Sequence, residues 1–75
     1  MIKEKQMVQF RRDQLPYLKP EMARLLDRRK GRVIDVFVPL GAKEGVIKVR
    51  WIARRPTESD VTMEHSEADL EVIPG

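Results

Sequence analysis

Two apolar, β-branched runs, residues 32–38 and 46–53, set the strongest constraint on how this chain folds, and a short loop carrying Gly41 and Gly45 separates them. In the second run Ile47, Val49, Trp51 and Ala53 fall on one side and Lys48 and Arg50 on the other. A period of two belongs to a half-buried strand and cannot make a helical stripe. In the first run Ile34, Val36 and Val38 share a face, while Val33 and Phe37 flank Asp35 on the opposite one. Apolar character on both faces predicts a central strand, or one covered by a helix. Glycine allows the positive φ that hairpin connections require. A long antiparallel hairpin is therefore expected at the centre, with the rest of the chain built around it.

The flanking segments supply shorter pieces. Residues 6–11 alternate weakly, with Val8 and Phe10 on one face, and read as a first strand; residues 13–19, broken by Pro16, read as a loop. Residues 20–28 read as a short helix. Pro20 suits its first position, Glu21 favours the positive end, Arg28 favours the negative end, and Met22, Leu25 and Leu26 form its apolar stripe. Residues 61–65 alternate with Val61 and Met63 inward. Ser66, with Asp69 three positions on, predicts one helical turn, and residues 70–73 a last short strand. The expected fold is mostly β: five short strands, one helix between the first two, and a helical turn before the last. Residues 6–73 form a single small domain behind a disordered segment, residues 1–5.

This layout resembles the Src-homology-3-like small β-barrels, and within them the KOW-type domains of transcription and translation proteins. The likeness spans roughly residues 28–73 and rests on Lys30, Gly31, Arg32 and Val33, on the partner run 47–51, and on the closing run 68–73. Gly31 and Val33 match the Gly-x-Val core of the KOW motif, in which the glycine permits a tight backbone and the valine enters the barrel. The earlier glycine of that motif is absent, since Leu25 to Arg29 stand in its place. The resemblance implies a five-stranded barrel. Among its functions it implies nucleic-acid binding, protein binding and one enzyme group, the small plasmid-borne dihydrofolate reductases, whose Val-Gln-Ile-Tyr pore motif this chain lacks.

The chain has 75 residues and no cysteine, so neither a disulfide framework nor a thiolate metal site can form, and packing must hold a small core together. His65 is the only histidine. It reads as a surface or strand-end residue, and with Glu64 and Glu67 alone it makes a poor metal site. No serine nucleophile stands beside a histidine, no acids are spaced as an acid–base pair, and no glycine-rich phosphate loop is present. The expectation is a non-catalytic protein with no cofactor and no metal. With neither an apolar leader nor a membrane-length apolar run, a cytoplasmic location is expected.

Charge is the functional signal. All 15 Lys and Arg lie in residues 1–56 against 6 acids, a balance of +9; residues 57–75 hold 6 acids and no base, a balance of −6. Arg11, Arg12, Arg24, Arg28, Arg29, Lys30 and Arg32 are the candidate nucleic-acid-binding residues, because clustered cations beside a helix end can follow a phosphate backbone. The leading expectation is a binding module that contacts nucleic acid or a nucleoprotein. The alternative is a small adaptor or inhibitor of the kind found in phages and mobile elements. It would bind a protein through Tyr17, Pro39 and Leu40, or would homodimerise along a sheet edge. Trp51 is expected in the core beside Val36, Val49 and Leu25, and Glu64 opposite Lys48 or Arg50.

Overall fold

The computed structural model describes residues 2–74. Five antiparallel strands form one sheet: β1 (Met7–Phe10), β2 (Lys30–Phe37), β3 (Val46–Trp51), β4 (Val61–His65) and β5 (Leu70–Val72), in the order β4-β3-β2-β1-β5. A helix, α1 (Pro20–Leu26), lies between β1 and β2. A 3-10 turn, Glu67–Asp69, precedes β5. The mostly β reading, the helix and the late turn all hold.

The sheet is strongly curled. In a flat sheet β4 and β1 would stand three strand spacings apart, roughly 14 Å. Yet the His65 ring at the end of β4 meets the Phe10 ring of β1 edge-on, with centroids 5.4 Å apart. Inside the curl lie Val8, Phe10, Leu26, Val33, Ile47, Val49, Trp51 and Leu70. The inward sets of β1 and β3 are those that the alternation predicts.

Trp51 is wholly buried and Gly31 faces it across the β2–β3 pair. A Cβ on Gly31 would sit 2.8 Å from Trp51 Cε3 and nearer still to Val49 Cγ1. Glycine is required here by the thickness of the indole, not by a turn. Glu64 stands opposite Lys48, as the charge pattern predicts.

Three expectations need correction. Residues 2–5 are not disordered: Ile2 is buried in the core, and the Lys5 amide donates to the Val33 carbonyl at 2.8 Å. The one apolar side chain of this charged segment is enough to dock it. Residues 12–17 are not an irregular loop but a 3-10 helix, Arg12–Tyr17, from which Leu15 packs against the core, as does Leu18 just beyond it. In β2 a register shift between Val33 and Asp35 breaks the alternation. Val33 and Val36 now pair with the inward residues Val49 and Ile47, but only Val33 is buried, and Ile34, Val36 and Val38 are all exposed. A single extra residue in one strand reverses every face beyond it. His65 ends β4, one of its two expected places, and is half-buried against two rings.

Candidate functional site

The sheet and α1 divide the predicted cations into three groups. Arg29 goes inside. It is 1% exposed, the largest buried polar side chain, and it sits where the chain passes from α1 into β2. Its Nε donates to the Ile52 carbonyl at 3.0 Å and its Nη2 to the Ser59 carbonyl at 2.8 Å, with a longer contact of 3.4 Å to the Trp51 carbonyl. Glu58 approaches Nη1 at 3.8 Å. Arg29 is thus removed from any binding surface. Its forked donors tie α1 to the loop between β3 and β4, a task for which a fixed planar guanidinium is suited and an ammonium is not.

Arg11 is exposed but paired, holding the Asp13 carboxylate at 3.2 Å through Nε and Nη2. That contact raises the Arg11 pKa and holds the Asp13 carboxyl below its ordinary value. The other five, Arg12, Arg24, Arg28, Lys30 and Arg32, are exposed, and none of them joins an ion pair among the described residues.

These five form a connected strip. Arg12 and Arg24 line one cleft beside α1. Arg12 also lines a second cleft, of about 240 Å³, together with Arg28, Lys30, Gln9 and Phe10. Lys30 and Arg32 both point outward from β2, since Gly31 and Val33 between and beyond them point in. Two residues along a strand place them about 7 Å apart. Arg32 then shares a shallow cleft with Lys5, whose neighbour there is Glu4. Reading the sequence as a disordered start missed Lys5; the apolar Ile2 beside it was the available signal.

Backbone geometry singles out the same strip. Among the described residues two that are not glycine have positive φ, Lys5 at 71° and Arg28 at 56°. Both are cations, and both flank the Lys30–Arg32 segment. Left-handed backbone at residues with a Cβ is disfavoured and tends to gather at functional positions.

The acidic quarter of the chain is engaged elsewhere. Glu58 pairs with Arg54 at 3.1 Å, and this bond lowers its carboxyl pKa. Arg54 in turn donates to the Asp27 carbonyl at 2.7 Å, closing the C-terminal end of α1. Asp60 accepts from the Ala53 amide at 2.8 Å and from Arg50 at 3.1 Å, and is lowered by the first of these above all. Asp60 also offsets the like-charge pairing of Arg50 with Arg32 across β2 and β3. Ser66 donates to Asp69, and Gln9 to Glu71, which is the nearest acid to the strip along the β5–β1–β2 row.

Tyr17 lies on the 3-10 helix, and Pro39 and Leu40 lie in the loop between β2 and β3. Tyr17 is 83% exposed at the end of the 3-10 helix beside α1. Leu40 is fully exposed at the hairpin tip, beyond the far end of the eight-residue β2.

No helix is long and apolar enough to cross a membrane, and among the described residues no three acid or histidine side chains converge as metal ligands. No family model, no curated protein and no solved structure matches this chain.

Proposed function

We propose that the chain is a non-catalytic binding module whose strip of Arg12, Arg24, Arg28, Lys30 and Arg32, extended by Lys5, contacts the phosphates of a nucleic acid or a nucleoprotein. One observation carries the reading. The fold provides acids or carbonyls for Arg11, Arg29, Arg50 and Arg54, and leaves this contiguous set without ion-pair partners among the described residues. Exposed, unpaired cations side by side repel one another, and a polyanion removes that repulsion while releasing its own counterions. The sharp curl of the sheet supports the likeness to the Src-homology-3-like barrels, in which such surfaces recur.

The test is a titration of labelled nucleic acid over a range of salt. Contact with about three to five phosphates gives log affinity falling against log salt with a slope of roughly −2 to −5. Replacing Arg12, Lys30 and Arg32 with Gln flattens the slope and weakens all sequences alike, because phosphate contacts carry no sequence information of their own. Absence of binding at submillimolar protein sinks the reading.

A second reading draws on the fully exposed Leu40 with Val38 beside it on the hairpin. A protein partner seated there would give an affinity nearly independent of salt and lost in Leu40→Ser.

A further inference from the structure

We infer that the strip addresses double-helical nucleic acid and not single strands, an inference that rests on the phosphate-binding reading above. Proteins that hold single strands add aromatic platforms to their basic grooves, and each base stacked on one contributes substantially to affinity. This chain has four aromatic side chains, Phe10, Tyr17, Phe37 and Trp51, and the fold takes the two nearest the strip out of reach. Trp51 is wholly buried beneath Gly31, between Lys30 and Arg32. Phe10 does line the cleft of Arg12, Arg28 and Lys30, but it is 5% exposed and is held edge-on to His65, so no base can lie across its face. Phe37 is half-buried at the opposite end of β2. Tyr17 alone is freely exposed, and one platform does not make a single-strand track.

The cations, by contrast, are held in fixed relation. Lys30 and Arg32 stand on a paired strand, with Arg32 opposite Met7 on one side and Arg50 on the other. Lys5 is pinned through its amide to Val33. Arg28 is the connection between α1 and the buried Arg29, and its left-handed backbone directs the chain into that turn. A rigid row of charge without stacking groups suits a regular ridge of phosphates. The duplex offers the denser one, with a charge every 1.7 Å or so along its axis. Arginine forks add bidentate contacts to phosphate oxygens.

The experiment measures anisotropy of labelled oligonucleotides at low salt: duplex DNA, duplex RNA, and the single strands of the same sequences. Duplex binding about tenfold tighter than single-strand binding is expected, with a steeper salt slope, since each contact releases more counterion from a duplex. The two duplex arms distinguish DNA from RNA. Tyr17→Ala should leave duplex affinity within about twofold, as no base stacks on it. Arg28→Gly, which removes a cation while relieving the positive φ, should keep or raise its melting temperature and lose affinity. Single strands bound as tightly as duplexes, or a loss of about fivefold or more in Tyr17→Ala, overturn the duplex inference and leave the phosphate reading standing. Failure of every oligonucleotide to bind overturns both.

Discussion

The indole nitrogen of Trp51 donates to Nε2 of His65 at 3.0 Å, and the two rings meet edge-on with centroids 5.5 Å apart. The bond requires a neutral imidazole with its proton on Nδ1, because a protonated ring has no acceptor. Burial pushes the His65 pKa below its ordinary 6.5, a shift that nearby Asp69 opposes in part.

This geometry makes stability depend on pH near neutrality. The unfolded chain takes up the His65 proton near pH 6.5 and the folded chain only at lower pH. The stability that the neutral ring contributes is therefore complete above about pH 6.5 and is lost as pH falls from there through the folded pKa. The melting temperature should drop over that window, and His65→Gln, which keeps an acceptor without a titrating group, should remove the drop. A separate decline, from Glu58 and Asp60 with their lowered pKa values, begins only below their ordinary 4.5 and 3.8 and should persist in that variant.

Arg29 is the one buried charged side chain among the described residues. Arg29→Met should destabilise by about 2–4 kcal/mol in urea denaturation, since it strips donors from buried carbonyls and leaves Glu58 with one cation fewer. Arg29→Lys should recover only part of this, because one ammonium cannot reproduce the fork between the Ile52 and Ser59 carbonyls. Equal stability of the lysine variant and the parent would show that charge alone suffices.

Gly31→Ala should cost about 1–3 kcal/mol, the usual range for overpacking, because its new methyl group meets the Trp51 ring and Val49 on a paired strand. Trp51→Ala should cost about 3–5 kcal/mol and unfold most of so small a domain. Both are read by thermal melts, with the indole fluorescence as a monitor in the first. A Gly31→Ala variant that melts with the parent would mean that the sheet opens easily at this point.

Arg28→Gly tests the strained turn by itself. Removing the Cβ from a left-handed position should leave stability unchanged or raise it by up to about 1 kcal/mol. A clear loss of melting temperature would show instead that the Arg28 side chain supports the α1–β2 connection.

The alternation in residues 46–51 was enough to assign β3 its faces, and charge narrowed the partner of Glu64 to Lys48 or Arg50, between which the observed register chooses Lys48. Gly31 was legible as a required glycine, though the thickness of Trp51 became its reason only once the two strands were paired. The bulge at Ile34 was not legible. Nothing in a run of β-branched residues tells which one is left over when two strands are aligned, and that one residue decides which side chains of β2 pair opposite those of β3. The cluster Arg28, Arg29 and Lys30 shows the same limit for function. By sequence the three are equivalent cations, yet tertiary structure buries the middle one against carbonyls contributed from beyond residue 50 and leaves the outer two exposed, without an ion pair among the described residues. Whether a charge is satisfied is a property of its surroundings in space, and those are assembled only when distant segments meet.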